Sequence, residues 1–95
     1  MAHLDHRYPT IKPMLDQGRI RSFMDIFMYV PKTVIAADMG KNLSRFNALL
    51  DHIEDFTIKD LLIIASYCNL TRTEILQLID TEIALRNEKS TNRLS

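Results

Sequence analysis

The chain has 95 residues and carries twelve basic and twelve acidic side chains, so its formal net charge is zero. Apolar residues make up 46% of the sequence and charged residues 25%, a composition that fits one globular domain and excludes an intrinsically disordered chain. Two glycines and three prolines are too few for the frequent turns of a many-stranded β fold, and no apolar run approaches the roughly 20 residues that cross a bilayer.

The N-terminal third is predicted to hold an arm, a turn or two of helix, and a longer helix. Residues 1–9 lack apolar periodicity, so we expect a flexible arm there. Residues 12–17 are predicted to form the helical turn or two. The next helix begins after Ser22, which can cap it, and its apolar residues recur at the i, i+3, i+4, i+7 spacing of one buried stripe: Phe23, Ile26, Phe27 and Val30. Pro31 ends this helix, because proline lacks the N–H that a helix interior requires.

Two short helices joined by a tight turn are predicted for the centre of the chain. The first covers residues 32–39 and is followed by Gly40, which takes a positive φ without steric cost. Asn42 is suited to cap the second, which runs from Leu43 to His52 and has the inner positions Phe46, Leu49 and Leu50. Helices this short, with one glycine in the connection, meet at the steep angle of a helix-turn-helix.

Two more helices are predicted after the central pair, and each begins with a threonine that has an acidic residue three positions later. Thr57 opens the first of them, whose apolar stripe is Leu61, Leu62, Ala65 and Cys68. Thr71 opens the last helix, which is expected to run to about Arg86. The prediction is thus an all-α fold without a sheet. It has a single domain over residues 10–86, and a polar C-terminal tail follows over 87–95.

The order of these segments carries a family resemblance. The run IAADMG at residues 35–40 is followed, six positions after its glycine, by the apolar Phe46. The later segments are DLLIIA, NL and TRTEIL, at residues 60–65, 69–70 and 71–76. Over about residues 20–80 the series resembles the lambda-repressor-like family of DNA-binding domains, also called the XRE or Cro/repressor type. The resemblance implies a compact five-helix repressor-like bundle containing a helix-turn-helix, with Leu43 to His52 as the recognition helix for double-stranded DNA.

Expected DNA contacts follow from the positions that these residues take in the motif. Base contacts are expected from Ser44, Arg45, Asn47 and Ala48, since arginine pairs with guanine and asparagine with adenine. Phosphate contacts are expected from Lys32, Lys41 and Asn42. The charge distribution permits a cationic face, because residues 1–33 hold five basic and three acidic side chains, whereas residues 51–88 hold three and eight.

The last predicted helix has apolar residues on more than one side: Ile75, Leu76, Leu78, Ile79, Ile83 and Leu85. A surface helix normally buries one face, so the second face favours a homodimer, with the interface Ile75, Leu78, Ile79 and Ile83. A two-fold dimer also suits a repressor that binds two half-sites. The alternative is that the N-terminal arm folds over this face.

The sequence therefore predicts a non-enzymatic, sequence-specific transcriptional regulator that binds double-stranded DNA. Cys68 lies on an apolar stripe. Because it is the single cysteine, a cytoplasmic protein is favoured. A secretory signal is not expected. His3 and His6 are too weak a pair for a metal site, so no metal, cofactor, small-molecule substrate or membrane is expected. The alternative function is a protein–protein interaction module, adaptor or antitoxin-like, on the same fold. DNA binding predicts that Lys32, Lys41 and Arg45 converge on one exposed face, whereas an interaction module predicts that Asp51, Glu54 and Asp55 dominate it.

Overall fold

Apolar residues at intervals of three and four fold most of the chain into helices. The computed structural model describes the backbone of residues 4–94 and the side chains of residues 4–88. Over this range the α-helices are α1 (Ile11–Asp16), α2 (Lys32–Asp38), α3 (Leu43–Asp51), α4 (Ile58–Cys68) and α5 (Arg72–Leu94). Short 3-10 helices cover Tyr8–Thr10, Phe23–Met28 and Ile53–Asp55, and residues 4–94 contain no strand. The predicted all-α fold is confirmed for these residues, none of whose helices has the length and apolar character needed to cross a membrane.

Helix caps lie where the sequence predicts them. The Asn42 side chain caps α3 and the Thr57 side chain caps α4, each accepting the N–H three residues on, at 2.7 and 3.0 Å. At the start of α5, the Thr71 hydroxyl accepts the Glu74 N–H, and the Glu74 carboxylate accepts the Thr71 N–H. Asn69 ends α4 in the left-handed conformation, with φ +58°. These confirmed predictions set the helix boundaries, and through them the lengths of the connections.

Two helix predictions differ from the structure. The helix expected over Phe23–Val30 is a 3-10 helix over Phe23–Met28, so the predicted helix type is wrong. The stripe itself is right, since Phe23, Ile26 and Val30 are fully buried. The start of the segment is held by Asp25, whose carboxylate accepts the N–H groups of Arg21 and Ser22. At the other end of the chain, α5 continues through the expected tail to Leu94 instead of ending near Arg86.

All four phenylalanines form a closed ring at the centre of the core. Phe23 contacts Phe27 and Phe56, and Phe46 contacts the same two rings, with centroids 5.5–6.0 Å apart in edge-to-face geometry. Such pairs contribute about 0.5–1.5 kcal/mol each beyond the burial of their area. Because Phe46 belongs to α3, the ring fixes the inner side of that helix against the rest of the domain.

The end of the predicted N-terminal arm is packed into the domain. Tyr8 is buried, its ring lies 5.4 Å from that of Tyr67, and its hydroxyl donates to the Asp38 carboxylate at 2.7 Å. The Arg7 guanidinium makes a bidentate contact with the Asp5 carboxylate, in which Nε and Nη2 each donate to one carboxylate oxygen at 2.8 Å. Residues 1–3, which include the His3 of the weak metal pair, lie outside the described residues, as does residue 95.

The two-sided apolar pattern of α5 is explained within one chain. This helix packs both against α4 and against the 3-10 helices Phe23–Met28 and Ile53–Asp55. Ile75, Leu78 and Ile79 are consequently buried, at 0%, 3% and 8% exposure, and Ile83 is half-buried. The predicted dimer interface needs correction, because three of its four residues already belong to the core of the single chain.

Candidate functional site

The connection between α2 and α3 is a tight reversal built on Gly40. This residue has φ +71°, and its N–H donates to the Ala37 carbonyl at 3.0 Å. The next N–H, that of Lys41, donates to the Ala36 carbonyl at 2.9 Å. These two bonds form a Schellman motif, which ends α2 and satisfies its last carbonyls. The reversal packs the two helices against each other, and only four residues, 39–42, separate α2 from α3.

One side of α3 faces solvent and the other is held in the core. Phe46 and Leu50, one turn apart, are buried. Ser44, Arg45 and Ala48 are exposed, so three of the four expected base-contacting residues lie on the solvent side of this helix. The Arg45 side chain has no ion-pair partner among the described residues, which leaves its guanidinium available to a ligand.

Asn47, the fourth expected base contact, is placed differently. The residue is half-buried, and its Oδ1 atom is buried and accepts no hydrogen bond from any residue that the structure describes. An unsatisfied buried acceptor costs about 1–3 kcal/mol. Asn47 therefore lies at the boundary between the exposed and the buried sides of α3, with its acceptor turned away from solvent.

The three expected phosphate contacts differ in availability. Lys32, the first residue of α2, is exposed. The Lys41 ammonium lies 3.7 Å from the Asp60 carboxylate on α4, and both side chains are about four-fifths buried. The Asn42 oxygen is committed to the cap of α3. Of the three cations expected to converge, Lys32 and Arg45 are thus exposed, while the charge of Lys41 is compensated inside the chain.

Acidic side chains follow directly after α3. Asp51, Glu54 and Asp55 are all exposed. Asp51 lies one turn after Ala48, on the same side of the helix. A polyanion lying along α3 would therefore meet favourable charge near its start and unfavourable charge near its end.

Two tyrosines that the sequence analysis did not select hold the end of α2. The Tyr67 hydroxyl donates to the Asp38 main-chain carbonyl at 2.9 Å, and the Tyr8 hydroxyl donates to the Asp38 carboxylate. Burial, together with the adjacent carboxylate, raises the pKa of both tyrosines. These contacts join residues about 30 positions apart. No local pattern in the sequence signals them.

The chemistry of the remaining candidates is limited. Burial raises the pKa of the Cys68 thiol to about 12, so this thiol stays protonated at neutral pH and is a poor nucleophile. Among the residues that the structure describes, no three histidine, cysteine or acidic side chains gather as a metal site.

No protein-family model, curated protein or solved structure matches the chain.

Proposed function

We propose that this chain is a transcriptional regulator that binds double-stranded DNA sequence-specifically through α3. In this proposal α2, residues 39–42 and α3 form a helix-turn-helix of the lambda-repressor-like type. The observation that carries the proposal is the exposed side of α3, where Ser44, Arg45 and Ala48 lie together opposite a firmly buried side. An α-helix is about 10–12 Å across and fits a major groove about 12 Å wide. Side chains on the free side of such a helix reach base edges.

The way α3 is held supports a role in base recognition. Base pairs are distinguished only when a side chain is held within about 0.5 Å of its productive position. Phe46 is part of the phenylalanine ring, and Asn42 caps the first turn, so the inner side and the start of α3 are both fixed. A rigid helix with a free outer side has the properties that direct readout needs.

Arg45 is the residue most suited to a specific contact. Its backbone N–H is bound by the Asn42 side chain at 2.7 Å, which fixes the root of the side chain. Its guanidinium, exposed and outside the ion pairs of the described residues, can donate two parallel hydrogen bonds to guanine. Lys32, at the start of the neighbouring helix, supplies a charge for the phosphate backbone.

A homodimer belongs to this proposal as the assembly that would read two half-sites. The core takes up most of the expected interface, so the surface that supports a dimer is the later part of α5. There Ile83 is half-buried and Leu85 is 44% exposed. Sedimentation equilibrium on the wild type and on Leu85→Ser tests this part, and a monomer at every concentration would contradict it.

Fluorescence anisotropy with labelled duplexes tests the DNA proposal. A pool of random duplexes of about 30 bp is first enriched for binding, and the selected duplex is compared with a mixed-sequence duplex at several salt concentrations. Arg45→Met is expected to weaken binding to the selected duplex by about 5- to 150-fold, the equivalent of about 1–3 kcal/mol. Arg72→Met is the matched control, because Arg72 is also exposed and outside the ion pairs of the described residues.

Two results would overturn the proposal. One is the absence of wild-type binding at about 50 mM salt, where phosphate contacts are strongest. The other is equal loss of affinity in Arg45→Met and Arg72→Met, because it would make the contribution of α3 a matter of general charge.

A second candidate function is the non-enzymatic interaction module, adaptor or antitoxin-like. The acidic group Asp51, Glu54 and Asp55 favours it, as does the pairing of Lys41 with Asp60. Such a module would present the end of α3 to a cationic surface of a partner protein. Failure of the duplex titration at low salt, together with an intact fold, would favour this function.

A further inference from the structure

A buried carboxylate on α5 connects this helix to the 3-10 helix Phe23–Met28. Glu82 is 7% exposed. Its Oε1 accepts the Met24 N–H at 3.1 Å, near the start of the 3-10 helix Phe23–Met28. Its Oε2 accepts the Nε–H of Arg86, one turn later on α5, at 3.2 Å. A carboxylate in this position needs partners because an unpaired buried charge is strongly destabilising.

Arg86 extends this connection to the end of α3. Its Nη1 donates to the main-chain carbonyl of Asp51, the last residue of that helix, at 3.4 Å. The last carbonyls of a helix have no partner inside it and carry partial negative charge. A guanidinium beside these carbonyls is electrostatically favourable. Because Glu82 binds the Nε–H of the same guanidinium, a neighbour on α5 fixes the orientation of the Arg86 side chain.

The start of α3 has a corresponding contact. Lys41, two residues before the helix, pairs with Asp60 on α4 at 3.7 Å. One charged contact therefore lies at the last residue of α3 and another in the connection just before the helix, while Phe46 holds its middle. The helix has only nine residues, about 13 Å in length, so release of one end tilts the whole exposed side.

We propose that Arg86, oriented by Glu82, is a positioning residue that sets the direction of α3. Its effect on DNA rests on the function proposed above, whereas its effect on the helix does not. Direct readout of a base depends on the position of Arg45 to within a few tenths of an ångström, but contacts to the DNA phosphate backbone tolerate larger shifts. Loss of the Arg86 contact is therefore expected to weaken specific binding more than non-specific binding.

The test uses the double variant Glu82→Gln with Arg86→Met. Removal of Arg86 alone would leave a buried carboxylate unpaired and risks unfolding the chain. In the double variant no buried charge remains, and the glutamine oxygen still accepts the Met24 N–H. The double variant removes one negative and one positive charge, so its net charge equals that of the wild type. Arg72→Met is the control for the loss of a guanidinium from α5, at a position without a described ion-pair partner.

Two measurements are made on the wild type, the double variant and the Arg72→Met control, under conditions in which each protein is folded. Amide hydrogen exchange followed by NMR is expected to accelerate about tenfold or more in the last turn of α3, at residues 50–52, and to stay unchanged in α4. Affinity for the selected duplex is expected to fall about tenfold, with the mixed-sequence affinity and the salt slope unchanged, since no phosphate contact is lost. The control should match the wild type in both measurements.

Three outcomes would overturn the proposal. Unchanged exchange in α3 would show that Arg86 does not hold the helix. Faster exchange in all helices would assign the Glu82–Arg86 pair to global stability. A salt slope smaller by about 0.9 would make Arg86 a phosphate contact. If the wild type binds no duplex, the DNA function fails, and the exchange data alone still decide whether Arg86 positions α3.

Discussion

Replacing Tyr8 with phenylalanine removes one hydroxyl and tests whether the N-terminal segment is part of the domain. The ring is buried, and the hydroxyl donates to the Asp38 carboxylate at 2.7 Å. A hydrogen bond to a charged group contributes about 1.5–3 kcal/mol. Since Asp38 is exposed, its carboxylate is rehydrated in the variant, which reduces the loss to about 1–1.5 kcal/mol. For a domain of this size we expect Tm to fall by about 4–8 °C per kcal/mol.

The pH dependence of the same variant provides a second measure. Burial and the Asp38 carboxylate raise the pKa of folded Tyr8, whereas an unfolded tyrosine has a pKa of about 10. Below about pH 10 both states keep the proton, and the stabilisation by Tyr8 is fully present. Above it the unfolded chain loses this proton first, so wild-type stability decreases as pH rises. The phenylalanine variant lacks this proton, and its stability is expected to approach that of the wild type in this range.

Urea unfolding followed by circular dichroism measures both effects. Tyr29→Phe is the control, because no hydrogen bond is described for the Tyr29 hydroxyl and the residue is only half-buried. This control should stay within about 0.5 kcal/mol of the wild type. Equal stabilities of the Tyr8 and Tyr29 variants at neutral pH would refute the reasoning, because they would mean that the hydroxyl of Tyr8 makes no effective bond in solution.

Three further substitutions have separable outcomes. Glu74→Gln should make Tm depend less on pH under acidic conditions. Lys12, and then the Thr71 N–H, lower the pKa of Glu74, so the stabilisation by this carboxylate is full above about pH 4.3 and is lost as pH falls through the lowered value. Parallel curves of Tm against pH for the variant and the wild type would contradict this. Gly40→Ala should cost about 1–2 kcal/mol in urea unfolding through backbone strain alone, since φ is +71° and the added Cβ meets no described atom within 4 Å outside residues 39–41. Unchanged stability would argue against the reversal. Asn47→Ala should leave the free energy of unfolding unchanged or raise it by up to about 1–3 kcal/mol, because the substitution removes the unsatisfied Oδ1 acceptor. A loss of stability would mean that Oδ1 has a hydrogen-bond donor in solution.

The parts of the fold that were predicted correctly depend on neighbours in sequence. Asn42, Thr57 and Thr71 cap helices by binding an N–H three residues later, and Gly40 reverses the chain through bonds within five residues. The exposed side of α3 follows in the same way, because the buried Phe46 fixes the phase of a regular helix. A pattern of residue types is sufficient for each of these features.

The parts that were missed depend on residues far apart in sequence. Tyr8 reaches Asp38 across 30 positions, and Arg86 reaches Asp51 across 35. The predicted dimer interface needs correction at Ile75, Leu78 and Ile79 for a related reason, because all three are buried within the single chain. A helix with two apolar sides either meets a second chain or is enclosed by its own, and only the packing of α5 against α4 and the two 3-10 helices distinguishes these cases.

The compensation of Lys41 changes what the DNA proposal predicts about salt. Because Asp60 already neutralises this cation, Lys32 and Arg45 are the basic residues within α2 and α3 that are exposed and have no described ion-pair partner. Lys32, the one phosphate contact that the proposal assigns to this helix pair, would give a slope of log affinity against log salt of about −1 per chain, since each phosphate contact contributes about −0.9. A chain of zero net charge with so shallow a slope binds mixed-sequence DNA weakly. Under the DNA proposal its affinity must then come mainly from base contacts on α3. The proposal therefore predicts that the orientation of this helix matters more here than in a strongly basic protein.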